Sequence, residues 1–182
     1  MISEKQLIKD CQHYKKAAQF ELVKRYSPML MTVSRRYAHD QATAKDILQE
    51  SFIRIFSNIQ NFRPTGSFEA WMRKITVHCA LQWLKKRANL NESIVYEIND
   101  WHPIEPAVFS RLETEEIIGL IQSLPAGYRA VFNLNIIEGY THKEISIMLN
   151  ISESASRSQL TRARKILQKK LNSQKLTKET ST

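Results

Sequence analysis

Six basic side chains stand between Ser154 and Lys170: Arg157, Arg162, Arg164, Lys165, Lys169 and Lys170. Lys175 and Lys178 follow, and no Asp or Glu occurs from Ser154 to Lys178. Guanidinium and ammonium groups repeated along a helix hold phosphates and reach base edges in a DNA groove. That chemistry is recognition, not bond making. A second set lies upstream, where Phe68, Trp71, Met72 and Ile75 are mixed with Arg73, Lys74, Lys85, Lys86 and Arg87. Rings that stack on unpaired bases, beside cations that follow the phosphates, suit single-stranded nucleic acid. The competing reading is that these rings are simply core. A third set, Asp46, Gln49, Glu50 and Ile53, is spaced three, one and three residues apart and shares one helix face. It is an acidic, partly apolar patch in a basic setting; its competing reading is an ordinary solvated face.

The elements that position the first set are legible around it. Thr141 and Glu144 fit a capping box, in which hydroxyl and carboxylate satisfy each other's backbone N–H groups. Gly139 stands where the preceding helix must stop. Ile145, Met148 and Leu149 share a face, and Asn150 falls where the turn needs positive φ, which Asn tolerates. Ile151 then fills the angle and Ser152 caps a second helix, with Ala155, Leu160, Ala163 and Leu167 facing inward. The pattern predicts a helix-turn-helix over Thr141 to Lys170, its second helix lying in a major groove. The plainer alternative is a solvated amphipathic helix with a basic outer face.

The rest of the chain reads as helical. Residues 4–26 predict one or two amphipathic helices, with Leu7, Ile8, Cys11, Tyr14, Ala18, Leu22 and Val23 inward. Pro28 predicts a kink or break before a helix from Met29 to about His39. Asp40 caps a helix over about 41–60 that carries Ile47, Phe52, Ile55, Phe56 and Ile59. The stretch NFRPTGS, Asn61 to Ser67, is a loop, and Ser67 caps a helix from Phe68 to about Arg87. Residues 88–112 lose periodicity and contain Pro103 and Pro106, so they read as a linker. Helices resume near Leu112, break at Leu124-Pro125 and run from Ala126 to Ile137. The polar tail beyond about Asn172 is expected to fray.

Composition narrows the classes. The 182 residues carry a formal charge of +9, which favours a polyanionic partner. Residues 1–87 hold sixteen bases and seven acids, residues 113–182 ten and seven, and residues 88–112 one base and four acids, an acidic connector between two basic modules. Only 4 Gly and 5 Pro argue for helices over a sandwich or barrel. Cys11 and Cys79 have no paired-ligand spacing and read as reduced, partly buried thiols. The five His show no ligand spacing, there is no Gly-rich phosphate loop and no nucleophile with an evident base, so an enzyme or metal protein has little support. No apolar run spans a membrane and the charged start is unlike a signal peptide, which places the chain in a reducing cytoplasm.

Several of these segments stand together in one family. DILQESFIRIF, the NFRPTGSFEAWMRKI loop and helix, and SLPAGYRAVFNL before the helix-turn-helix resemble, in order and at matching spacing, the extracytoplasmic-function (ECF) group of sigma-70-type bacterial sigma factors. The resemblance implies an all-α fold of two small helical domains. Residues 1–87 would be region 2, 88–111 a flexible linker, 112–172 region 4 and 173–182 a polar tail. It implies that Asp46, Gln49, Glu50 and Ile53 dock on the clamp helices of the polymerase β′ subunit. It assigns −10 contacts to Asn61, Phe62, Arg63, Ser67, Phe68, Trp71, Met72, Lys74, Ile75 and His78. Arg157, Ser158, Thr161 and Arg162 would face the −35 element, with Lys143, Arg164 and Lys165 on phosphates. The implied partners are core RNA polymerase (β′ clamp helices and β flap), promoter DNA and an anti-sigma factor. No cofactor is implied, and the chain would be a monomer outside the holoenzyme. The sequence departs from the family at His78 and Gln82, where Asn and Asp are common, and mildly at Ser146 and Asn150. The first pair bears on −10 specificity, not on the fold. A polymerase-independent helix-turn-helix regulator, with the N-terminal helices for dimerisation or sensing, is the alternative.

Overall fold

Ser3 opens the first helix, its hydroxyl accepting from Gln6 N at 3.3 Å, with Glu4 complementing the helix N-terminus. The computed structural model describes residues 2–63, 66–88 and 114–179. They fall into two units, Met1–Arg87 and Ala88–Thr182, each built of helices, with no strand among the described residues. The expected linker, residues 88–111, lies outside the described residues apart from Ala88.

In the first unit α1 (Glu4–Gln12) turns at Tyr14, whose φ of 57° is left-handed, into α2 (Lys16–Tyr37). Tyr14 is 67% exposed, so the expectation of an inward ring is corrected: the turn swings it outward. The expected break at Pro28 is corrected too, because α2 runs unbroken through it. Proline removes one intrahelical bond, here to the carbonyl of Lys24, an exposed residue. Tyr26 and Leu30, both buried, hold the helix to the core on either side. Asp40 caps α3 (Gln41–Asn58) as expected, accepting from Thr43 N at 2.7 Å. A 3-10 turn, Ile59–Asn61, leads on, and Ser67 accepts from Ala70 N at 3.3 Å to start α4 (Phe68–Ala88). The core joins Leu7 and Cys11 of α1, Leu22 and Leu30 of α2, Phe52 and Ile55 of α3, and Phe68 and Met72 of α4.

The second unit comprises α5 (Thr114–Gln122), α6 (Ala126–Phe132), a π turn (Asn133–Ile137), α7 (His142–Leu149) and α8 (Glu153–Glu179). Pro125 separates α5 from α6 as expected. Ile121, Leu124, Leu134, Ile145, Ala163 and Leu167 are buried. The inward face of α8 is Ser156, Leu160, Ala163, Leu167 and Leu171; Ala155, expected inward, is only half-buried, and the buried Ser156 takes that place. The tail does not fray at Asn172. Helix α8 continues to Glu179, because Leu171 anchors it and no Gly or Pro interrupts the helix formers that follow.

Both cysteines are buried. Burial, with Asp10 nearby, pushes the Cys11 thiol up to about 11, and burial raises Cys79 as well, so neither is a ready thiolate.

Candidate nucleic-acid and polymerase interfaces

The turn that aims α8 is built as the sequence predicts. Thr141 Oγ1 accepts from Glu144 N at 3.3 Å, and Thr141 N donates to Glu144 Oε2 at 2.8 Å, closing the capping box. Gly139 has φ +78°. Asn150 sits in the left-handed region at φ 57°, ψ 50°, and Ile151 N donates to Ser146 O at 3.0 Å. Ser152 accepts from Ala155 N at 3.0 Å. Across the angle, His142 Nδ1 lies 2.8 Å from Oγ of the buried Ser156. Burial first, then Arg157 and Arg164, lowers the His142 pKa, with Glu153 opposing, so the ring is neutral near pH 7.

On the outer side of α8, Arg157, Ser158 and Arg162 are exposed, and Thr161, Arg164 and Lys165 half-buried; Lys143 is exposed on α7. Glu153 Oε2 holds Arg157 at 2.5 Å, and Arg162 donates to Tyr128 Oη of α6 at 3.3 Å. Ser158 and Thr161 donate back to the carbonyls of Ala155 and Arg157 at 3.0 and 3.1 Å. All seven expected residues therefore share one unit and none is core. Tyr128 is a contributor that sequence reading missed; its partner lies thirty-four residues away, with no local signal.

The upstream set divides. Asn61, Arg63, Ser67, Lys74 and His78 are exposed, and Trp71 and Ile75 half-buried. Phe62, Phe68 and Met72, expected at the −10 contact, lie in the core of the unit at 8%, 1% and 0% exposure. The two Phe rings lie beneath Trp71. Phe62 meets Phe68 edge-on at 4.9 Å between centroids, and Trp71 stacks on Phe68 at 5.5 Å and leans on Phe62 at 5.2 Å. Tyr26 completes the cluster at 5.7 Å from Phe68. Trp71 is thus held by two core rings while remaining half-exposed. His78 is exposed as a residue, but desolvation of its ring, then the charges of Lys74 and Arg54, lowers its pKa against an opposing hydrogen bond to the Lys74 backbone.

On α3, Asp46, Gln49, Glu50 and Ile53 are all exposed, Ile53 to 54%. Glu50 holds Arg54 one turn on at 2.6 Å. Beside this face runs a groove of about 360 Å³ between α3 and α4, walled by Asp46, Glu50, Gln82 and Trp83. Trp83 stacks on His39, 5.8 Å between centroids, another pairing the sequence did not reveal. Among the described residues no cluster of three or more His, Cys, Asp or Glu fits a metal, and no helix is long and apolar enough to cross a membrane.

The chain thus carries two helical units, one displaying a helix-turn-helix with a basic outer face and the other an acidic helix face beside a ring cluster. The comparisons give its family. Residues 22–89 match Sigma-70 region 2 and residues 114–167 match Sigma-70, region 4. The chain is similar to the ECF RNA polymerase sigma factor SigE of Mycolicibacterium smegmatis, 30% identical over 81% of this chain and 59% of that one. It is likewise similar to the ECF RNA polymerase sigma-E factor of Haemophilus influenzae, 25% identical over 93% of this chain and 96% of that one. Among solved structures, the sigma factor RpoE in complex with the anti-sigma factor NepR from Bartonella quintana shares the fold, with a TM-score of 0.52 and 17% identity over 84% of this chain and 95% of that one. The chain belongs to the sigma-70 family of RNA polymerase sigma factors, in its ECF group. Proteins of this family direct promoter-specific initiation with RNA polymerase and are not themselves enzymes.

Proposed function

We propose that this chain binds bacterial core RNA polymerase and directs it to promoters, reading the −35 element with α8 and capturing and opening the −10 element with its first unit. The observation that carries the reading is the pairing, in one chain, of the exposed Asp46–Ile53 face with a capped helix-turn-helix whose outer side is basic. Arg157 and Arg162 discriminate bases, each bidentate pair being worth about 1–3 kcal/mol. Lys143, Arg164 and Lys165 hold phosphates, which positions without specifying. At the −10 element, Asn61, Arg63, Ser67, Lys74, Ile75 and His78 contact the DNA, and an extruded base stacks on the exposed part of the Trp71 ring. Unstacking costs a few kcal/mol, and the stacking contact offsets part of it. Phe62, Phe68 and Met72 support that surface from within. Asp46, Gln49, Glu50 and Ile53 take the β′ clamp helices, and the second unit meets the β flap. Residues 1–87 and 112–172 serve as the two working modules, with 88–111 between them. An anti-sigma factor is the further partner, and the chain acts in the cytoplasm as a monomer outside the holoenzyme, with no cofactor.

Run-off transcription with bacterial core enzyme on genomic fragments tests the reading. Promoter-specific transcripts are expected from the parent protein. Glu50→Lys is expected to cut core affinity while leaving duplex binding intact. No specific transcript from any fragment, with tight binding of a palindromic duplex by the chain alone, would instead identify a polymerase-independent regulator.

A further inference from the structure

The last four carbonyls of a helix have no partner inside it. For α1, three are met within the turn to α2: His13 N donates to Lys9 O at 3.1 Å, Lys15 N to Asp10 O at 3.1 Å and Tyr14 N to Cys11 O at 2.9 Å. The fourth, Gln12 O, accepts from the side-chain amide of Gln60, forty-eight residues away in sequence. Gln12 answers with its own side chain, whose Nε2 donates to Ile59 O at 3.0 Å. The same Ile59 carbonyl accepts from Phe62 N at 3.2 Å, the bond that ends the 3-10 turn. Two amides thus cross between α1 and the turn in opposite directions.

The place of this clasp gives it meaning. Immediately after Gln60 come Asn61, Phe62 and Arg63, and the Phe62 ring supports Trp71. Beneath the clasp, Leu7, Cys11 and Ile59 are buried together, so α1 and the turn are already packed. Packing is non-directional. The hydrogen bonds add direction: they fix which way the turn's carbonyl faces and hence where the backbone of Phe62 and Arg63 emerges. Gln60 is exposed and Gln12 half-buried, so the pair contributes more to geometry than to the hydrophobic core.

We infer that the reciprocal Gln12–Gln60 clasp makes the N-terminal helix α1 a positioning element of the −10 surface, holding the Ile59–Asn61 turn so that Arg63 and, through Phe62, Trp71 are preset for an unpaired base. The inference rests on the −10 role proposed above. Gln12 and Gln60 are positioning residues and touch no DNA. A surface set in advance loses less binding energy to ordering than one that must be arranged by its ligand.

The test uses the full chain assembled with bacterial core polymerase, as parent, Q12L, Q60L and the double variant. One probe is the non-template single strand across the −10 element of a genomic promoter that the parent holoenzyme transcribes; the other is the upstream −35 duplex of that promoter. Each single variant is expected to bind the single strand about three- to tenfold more weakly, the worth of one hydrogen bond, and the double variant more weakly than either. Duplex binding and core affinity should match the parent, and the thermal midpoint should fall only by the few degrees that one or two lost hydrogen bonds cost. Parent-like single-strand binding by the double variant overturns the inference, as does equal weakening on both probes, which marks general damage. If the parent holoenzyme yields no promoter-specific transcript, the functional reading fails first. Amide hydrogen exchange at Phe62 and Arg63 in the free chain then still decides the clasp: faster exchange in Q12L and Q60L upholds it, and unchanged protection sinks it.

Discussion

The two modules place their proposed recognition groups differently. In the second unit every expected −35 residue lies outside the core, and the helix-turn-helix beneath is fixed by caps, a left-handed Asn150 and a buried stripe on α8. Scaffold and reading surface are separate sets of residues. In the first unit they overlap: Phe62, Phe68 and Met72 belong to the core, and Trp71 belongs partly to each. A surface that reads paired DNA needs only polar groups on a rigid helix. A surface that accepts an extruded base needs an aromatic ring, and a ring is held still only by other buried rings. The second design therefore exposes its recognition to the consequences of any core change.

That contrast breaks most readily at Phe68. Phe68→Ala should cost the first unit about 3–5 kcal/mol through the cavity it leaves, abolishing −10 capture by way of the fold. Thermal unfolding of the full chain checks it; a midpoint within a degree or two of the parent would show that the ring is not the support described. Arg162→Ala comes next. It should weaken −35 duplex binding by holoenzyme by about 1–3 kcal/mol and relax preference at one base position, with the unfolding midpoint intact. An equal stability loss would mean that scaffold and surface are no more separable in the second unit than in the first.

The smallest effect is proton-linked and compares one histidine from each module. His142 and His78 both have pKa values lowered from the usual 6.5. A lowered histidine stays neutral in the folded chain while the unfolded chain takes up the proton, so stability is full above pH 6.5 and falls as pH drops below it, toward the folded-state pKa. Measured unfolding midpoints should decline below pH 6.5. His142→Gln should flatten the share that comes from the second unit and His78→Gln the share from the first. A decline unchanged by either substitution would assign the acid sensitivity to other groups.

The amino-acid sequence by itself determined the helices, most of their caps and the order of the modules. Thr141, Glu144, Asn150, Asp40 and Ser67 act on backbone groups within three or four residues, so their roles are written in local spacing. It also determined most of which residues face outward on α3 and α8, because a period of 3.6 sorts a helix into sides, with Ala155 and Ser156 exchanged. Pro28 misled because a single missing N–H is a small loss once Tyr26 and Leu30 are buried on both sides of it. Only the tertiary structure decided that Phe62, Phe68 and Met72 face inward, that Tyr128 meets Arg162, that Trp83 stacks on His39, and that Gln12 and Gln60 exchange hydrogen bonds. Those pairings join residues that are distant along the chain. Nothing in local spacing encodes them; they exist because burying apolar faces brings separate helices together, and the polar groups carried along must then find partners among whatever the packing has made near.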